Sequence, residues 1–423
     1  MTAGITSRSG SFNRLLVVVL LAGLALRVGW GLRLPADEQY LSDLPDQLEY
    51  LELGRNLLKG RGLVFYSELF RDELRAYRTP GYPLLVAACG GNVRAVRLVQ
   101  ALLDTATILA TYLLGRRWLS RGGSTFGALL VALNPFLVYF SGLILTETLF
   151  TAMMIWGMAL MVPRGRDDEE VPRLKPWASW GWWTGAVLLV LSVMVRPSAL
   201  VLPIVLAVGA AVMNRGANGP YLSRWVPPVG TTILLLEMAA LLPWGYRNRQ
   251  VLGGWVLTTT NSGVTLYDGL NPDATGASDQ RVIRSLPQLR SMSEVERSQY
   301  LSELAWQYAQ EHPRRALALA ARKVARTWSP VPLSADYGGR RNVLIAAVYM
   351  IPFLLLAAVG LGSRLLPGSA KVFLLIPAIY FTIAHSVSVG SLRYRLPADV
   401  PMSVLAAASG AAAVGALRRK PRP

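Results

Sequence analysis

The sequence predicts an all-α membrane protein that crosses the bilayer many times. Three observations point there. Of 423 residues, 52% are hydrophobic and only 16% are charged, against about 25% charged in a soluble domain. Apolar runs approaching the ~20 residues a bilayer-crossing helix needs recur along the chain. The net charge of +18 gathers mainly in alternate connections between those runs. A single cysteine, Cys89, excludes a disulfide scaffold and a cysteine zinc site, and two histidines, His312 and His385, argue against a histidine metal centre.

In chain order, about ten apolar runs stand out: 15–34, 94–114, 124–141, 144–162, 179–195, 198–213, 226–244, 343–362, 371–389 and 397–416. Arg8 and Arg14 precede the first run as in a signal peptide. Arg27 interrupts it and further runs follow, so it reads as an uncleaved anchor. Asn134-Pro135 and Arg196-Pro197 mark tight turns or kinks. The run Leu84–Gly91 is too short to cross and reads as re-entrant or interfacial.

Orientation follows from Lys and Arg in the short connections. With the N-terminus inside, the inner segments carry Arg8 and Arg14; Arg116, Arg117 and Arg121; Arg164, Arg166, Arg173 and Lys175; Arg215 and Arg224; Arg364 and Lys371; and Arg418, Arg419, Lys420 and Arg422. Asp167, Asp168, Glu169 and Glu170 offset part of this. Both termini then lie in the cytoplasm, and the basic excess faces anionic lipid rather than nucleic acid. No Walker, Rossmann, zinc or kinase pattern occurs. The chain reads as one module, 1–423, with two long extracytoplasmic loops, 35–93 and 245–342.

In the first loop, Leu48, Leu51, Leu53, Leu57 and Leu58 fall at roughly helical spacing. This predicts an amphipathic helix on the outer membrane surface, ended by Gly60-Arg61-Gly62. Asp46, Glu49 and Tyr50 share one face of it. The second loop holds a turn-rich stretch, 258–277, suited to close approach by a ligand. A helix follows over Ser293–Gln310, opening with the capping-box pair Ser293 and Glu296. After Pro313 comes a basic amphipathic helix. Leu317, Ala320, Val324 and Trp328 form one face, with Arg315, Arg322, Lys323 and Arg326 elsewhere, for lipid headgroups or a phosphate.

An ionisable residue in a span is costly and marks a functional candidate. Glu147 opens the fourth span, where it could meet Asp46. Such a carboxylate pair could hold a divalent cation, Mg or Mn, or supply a base; alone, Glu147 is an ordinary first-turn acid. Asp104 lies mid-span, two turns from Arg97, as a partner for another helix, and Glu237 is also mid-span. His385 ends the ninth span. Arg393 and Arg395 flank Tyr394 just before the last, and arginine suits bidentate phosphate recognition. Arg78, in Tyr77–Pro83, and Arg196 are candidates of the same kind.

Taken together, these pieces resemble the polyprenyl-phosphate-sugar-dependent glycosyltransferases of the GT-C superfamily. The nearest group is the family 39-like set related to protein O-mannosyltransferases and lipid A aminoarabinose transferases. The resemblance rests on Asp46–Tyr50 with Leu53–Gly60, Arg78–Pro83, Arg97–Asp104, Asn134-Pro135, Thr146–Thr148, Arg196–Ser198, Pro243–Asn248, Gly263 through Pro272, Glu311–Pro313 and Arg393–Pro397. It implies a GT-C fold and an outward-facing site beneath the first loop. The donor would be a sugar on a polyprenyl phosphate and the acceptor a lipid, glycan or protein. Asp46 would be the catalytic acid and Glu147 the second acid. Tyr50, Arg78, Tyr82, Arg196, His385, Arg393, Tyr394 and Arg395 would bind substrate. The adjacent acid pair typical of the mannosyltransferases has its counterpart only in Asp37-Glu38, which makes Asp37 the reserve for the catalytic role. The expected reaction is a single inverting displacement at a bacterial inner membrane. A lipid-linked oligosaccharide polymerase or ligase, or a lipid or solute transporter, is the alternative; transporters favour internal repeats and midplane charge pairs, whereas the polar residues here gather at one face.

Overall fold

The computed structural model describes residues 14–162, 179–213, 222–333 and 339–418. The inner charges expected at Arg8, Arg164, Arg166, Arg173, Lys175, Arg215, Arg419, Lys420 and Arg422, and the acids 167–170, lie outside the described residues. The elements run α1 (Arg14–Arg33), α2 (Glu38–Ser42), α3 (Pro45–Leu58), β1 (Phe65–Ser67), β2 (Asp72–Leu74), α4 (Gly81–Ala88), α5 (Val93–Gly115), α6 (Arg121–Leu133), α7 (Pro135–Ser141) and α8 (Glu147–Met161). They continue α9 (Trp180–Val193), α10 (Leu202–Met213), α11 (Leu222–Leu252), α12 (Asn261–Gly269), α13 (Arg281–Arg284), α14 (Glu294–Glu311), α15 (Pro313–Thr327), α16 (Arg340–Leu361), α17 (Gly368–Val387) and α18 (Leu396–Arg418).

All ten predicted apolar runs are helical. Among the described residues, α1, α5, α11, α16 and α17 are long and apolar enough to cross a bilayer. At Asn134-Pro135 the chain bends by 54°, and α6 with α7 forms a sixth candidate as a broken pair. The bend has a local cause. Asn134 caps α7 with its side chain, accepting from Phe136 and Leu137, and the proline cannot continue α6. Helices α8 and α9 are shorter than a full crossing, and α10 counts 17 residues or fewer even with the turn Pro197–Ala199 before it.

One buried ion pair ties the bundle. Arg27 of α1 donates to Asp104 of α5 at 2.5 Å and to the Val131 and Ala132 carbonyls freed by the broken α6. The expected inter-helix partner of Asp104 is thus Arg27. Arg97 instead donates to the Gly142, Leu34 and Pro35 carbonyls and closes the α1–α2 corner.

The two long loops fold together into one layer with its own apolar core, built on Phe65, Phe70, Tyr77, Trp244, Ile283 and Leu301. Glu294 stitches it, accepting from the Arg75 and Ala76 amides and from the Thr260 hydroxyl. The capping box at Ser293 and Glu296 forms, as the sequence predicts. Helix α3 begins with Pro45 at its first turn and stops where Gly60 and Gly62 take φ of +72° and +80°. Its face does not lie free on a membrane surface. Gly54 lets it close onto Val86 of α4, and Gln47, Tyr50 and Leu51 are buried. Helix α15 also differs from the expected face: Leu319, Lys323 and Thr327 are its buried residues, and Leu317 is exposed.

Candidate active site

Three carboxylates and three arginines alternate in one connected chain under α3. Arg78 donates to Glu49 from Nε at 2.8 Å and to Asp46 at 2.6 Å. Arg393 donates from Nη1 to the other oxygen of Asp46 at 3.1 Å and from Nε to Glu147 Oε1 at 2.6 Å. Arg196 donates to that same Glu147 oxygen at 2.8 Å.

Each side chain has a local reason to be there. Asp46 sits in the first turn of α3, where the helix dipole favours an anion, and Glu49 follows one turn on. Glu147 opens α8 in the same way. Arg196 is extended at the break between α9 and Pro197, a conformation the following proline enforces. Arg393 lies in the short turn Leu392–Tyr394 between α17 and α18.

The two acids on Arg393 differ in access. The Asp46 side chain is 32% exposed, whereas that of Glu147 is 2% exposed. Only Asp46 can meet an incoming group without rearrangement. Burial pushes the Asp46 carboxyl up, but the charges of Arg78 and Arg393 outweigh it and hold it at about 2. Burial wins for Glu49, whose carboxyl is pushed up, with the Asp46 charge adding to the effect. Sequence reading placed Glu49 on the Asp46 face and gave it no role; the i, i+3 spacing was the available signal, and the structure makes it the second ligand of Arg78.

Aromatic rings wall the cluster. The Arg78 guanidinium lies 5.2 Å from the ring centres of both Tyr50 and Tyr77. Tyr50 packs edge-on to Tyr82, which donates to Gln100 at 2.7 Å and stands behind the site rather than in it. Tyr394 stacks on His385 with centroids 3.8 Å apart, and Arg196 sits 5.5 Å from the Tyr394 ring. Glu147 Oε2, Arg196 Nη1 and His385 Nε2 of this group, with Thr151 Oγ1 and Ser198 Oγ a few residues along the chain from the first two, are buried polar atoms with no hydrogen-bond partner. Buried polar atoms are rarely left so.

Three sequence candidates are not brought together with these. Arg395 is fully buried away from the cluster, facing Asp399 at 3.1 Å and donating to the Thr327 and Ser329 carbonyls. It fixes the start of α18 and does not flank Tyr394 as a second phosphate ligand. Asp37, the reserve acid, is exposed and caps α2 through the Tyr40 amide. Tyr82, as above, supports Tyr50. The carboxylates Asp46 and Glu147 are joined through an arginine rather than directly. Arg393 bridges them, a cation would have to displace it, and no three His, Cys, Asp or Glu side chains cluster as ligands among the described residues.

A clamp from the second loop holds the turn that carries Arg393. Lys323 of α15 donates to the Val387 carbonyl at 2.8 Å and Arg326 to Gly390 at 3.3 Å, while the Gly390 amide donates to Gly276 at 2.9 Å. Gly269 and Gly390 allow this contact. A Cβ on Gly269 would meet the Ser388 carbonyl oxygen at 1.8 Å, and one on Gly390 would meet the Lys323 backbone at 2.5 Å. Burial pushes the Lys323 ammonium down to about 8, against the pull of Asp268.

No protein-family model and no curated protein matches the chain. Solved structures do. The oligosaccharyltransferase AglB from Archaeoglobus fulgidus, in complex with an inhibitory peptide and a dolichol-phosphate, aligns with 96% of this chain and 50% of its own at 14% identity and TM-score 0.57. The same enzyme in complex with Zn and sulfate aligns with 96% of this chain and 52% of its own at 14% identity and TM-score 0.53. ArnT from Cupriavidus metallidurans bound to undecaprenyl phosphate covers 95% of this chain and 77% of its own at 14% identity, but its TM-score of 0.40 bears no weight. This chain spans about half the length of the oligosaccharyltransferase chains it matches. At such identity the likeness speaks for architecture alone: the chain shares its helical fold with the matched half of the oligosaccharyltransferase.

Proposed function

We propose that the protein transfers a sugar from a polyprenyl-phosphate donor to an acceptor hydroxyl or amine, with inversion at the anomeric carbon. One observation carries the reading. On a GT-C fold, a solvent-reachable carboxylate, Asp46, is held ionised between Arg78 and Arg393, and Arg393 continues into the buried Glu147–Arg196 pair. The dolichol-phosphate in the AglB complex supports a lipid-phosphate donor here.

The arginines bind the donor phosphate. Of the five uncommitted buried atoms named above, Arg196 Nη1 and His385 Nε2 are the nitrogens, and arginine grips phosphate through paired N–H groups. As the acceptor attacks, the bond from the anomeric carbon to the phosphate oxygen breaks, its electron pair stays on that oxygen, and the phosphate, already a monoanion, leaves with one further negative charge. Preorganised donors aimed at such developing charge are each worth about 2.7–4 kcal/mol. A carboxylate held at about 2 takes a proton poorly. Asp46 therefore orients the acceptor in the resting site. When the phosphate draws Arg393 away, the carboxylate regains basicity and takes the acceptor proton. Proton transfer of this kind contributes about 10²–10⁴-fold.

In this reading the site faces the extracytoplasmic side of a bacterial inner membrane, with both termini in the cytoplasm. Support comes from charge placement. Arg116 and Arg117 follow the C-terminal end of α5, while Gln100, near its N-terminal end, meets the Tyr82 that backs the site. From Gln100 to Arg116 the helix rises about 24 Å at 1.5 Å per residue, which supports a basic cluster toward the opposite membrane face. The purified protein, supplied with polyprenyl-phosphate sugars in detergent, tests the reading by release of polyprenyl phosphate. Transport or polymerisation would leave a monosaccharide donor intact.

A further inference from the structure

The loop layer contains a second basic feature, remote in sequence from the acids of the site. A cleft of about 230 Å³ opens between the β1–β2 turn and the segment 281–290. Arg71, Arg284 and Arg290 line it, together with Glu68 and an apolar floor that includes Phe70 and Leu289. None of the three arginines pairs with a carboxylate among the described residues. Unpaired guanidinium groups gathered on one concavity repel each other unless an anion joins them.

One buried side chain ties the two walls together. Arg297, nearly fully buried, donates to Asp72 at 2.7 Å on the hairpin and to the Leu289 carbonyl at 2.7 Å on the opposite side, and lies 5.1 Å from the Phe70 ring. Its Nη1 has no partner. Arg71 takes φ of +53°, the one non-glycine residue among those described with positive φ. A non-glycine residue there costs about 1 kcal/mol or more and persists where the surrounding structure enforces it.

We propose that this cleft binds an anionic group, a phosphate on a sugar or a lipid headgroup, through Arg71, Arg284 and Arg290. Its volume is below the ~300–1,000 Å³ of a pocket for a drug-sized ligand, and suits one charged group with at most one ring on the apolar floor. Glu68 then accepts from a neutral hydroxyl beside the anion. The hairpin leads through Arg75–Tyr77 directly into Arg78 of the site. An acceptor anchored here by its anion would be held on the loop that carries Arg78. That use of the cleft rests on the transferase reading; the anion binding does not.

The test uses the full-length protein in detergent and two probes, glucose 1-phosphate in solution and vesicles containing phosphatidylglycerol. The cleft variant is R71G/R284Q/R290Q, whose glycine relieves the strained backbone. The control removes the same charge from other exposed arginines, R61Q/R314Q/R341Q. The cleft variant is expected to bind glucose 1-phosphate about tenfold or more weakly than wild type, with the control unchanged. Loss confined to the vesicle arm, again only in the cleft variant, supports the site with a lipid headgroup as the source. No wild-type binding in either arm, equal binding by the cleft variant, or equal loss in the control overturns the proposal. Binding is read without turnover, so its failure leaves the transfer chemistry untouched, and the reverse also holds.

Discussion

Arg393 and Glu147 stand 246 residues apart in sequence and meet with Nε 2.6 Å from Oε1. Through Nη1, Arg393 also holds Asp46. One guanidinium thus joins the first loop, the start of α8 and the turn before α18. Arg393→Gln leaves Glu147 with Arg196 alone. Turnover of polyprenyl-phosphate sugars is expected to fall by about 10²-fold or more. Arg393→Lys is expected not to restore it, because a single ammonium cannot reproduce two N–H groups aimed at two carboxylates. Full activity of the lysine variant would contradict this role.

Asp46 gives the site an acid-side signature. Its carboxyl lies at about 2, below the ordinary 3.8. A depressed carboxyl stabilises the folded state above the ordinary value, and the benefit is lost as pH falls from 3.8 through 2. Thermal melts of Asp46→Asn are expected to lie below wild type near neutrality, with the gap closing across that window. A constant gap would remove Asp46 from the ion chain.

The Arg27–Asp104 pair is a scaffold contact, with both side chains 2% exposed or less. Removing one partner of a buried pair leaves an uncompensated charge, at about 3–5 kcal/mol. Arg27→Met should lower the melting temperature sharply. Arg27→Met with Asp104→Leu should recover much of the loss, though not the bonds to Val131 and Ala132. Chemical or thermal unfolding in detergent reads both.

The α15 clamp predicts activity lost beyond stability. Gly269→Ala forces the Ser388 carbonyl aside and moves the turn that carries Arg393. Its kcat should fall by about tenfold or more, while Lys323→Met should lower kcat less. A pH melt adds an independent readout. The Lys323 ammonium sits at about 8, below its ordinary 10.5. Its burial therefore costs stability below pH 8, and the cost lifts as pH rises from 8 to 10.5. Wild type should gain stability over that range relative to Lys323→Met.

Much of the framework was legible because hydropathy and breakers act locally. The ten apolar runs came from contiguous composition, and the bend at Asn134-Pro135, the stop of α3 at Gly60 and the Ser293 capping box from residues within one turn of each other. Span lengths were less legible, since α8 and α9 are short and packed. Partnerships across the fold were not legible at all. Asp104 has Arg97 two turns away, yet it bonds Arg27, because a helix face and not sequence proximity decides which charge it meets. Arg393 and Arg395 look equivalent around Tyr394. The short turn and the start of α18 send Arg393 to Asp46 and Glu147 and send Arg395 inward to Asp399. Lys323 read as one more basic side chain, and its burial under Val387 depends on two distant glycines.

In the proposed reaction Asp46 serves sugar transfer from a lipid phosphate. The most direct measurement is release of undecaprenyl phosphate from a panel of undecaprenyl-phosphate sugars, by purified wild type and Asp46→Asn, each assayed at the same interval below its own melting temperature. Wild type is expected to release it from at least one donor, and the variant about 10²–10⁴-fold less. Equal release by both proteins would contradict this role.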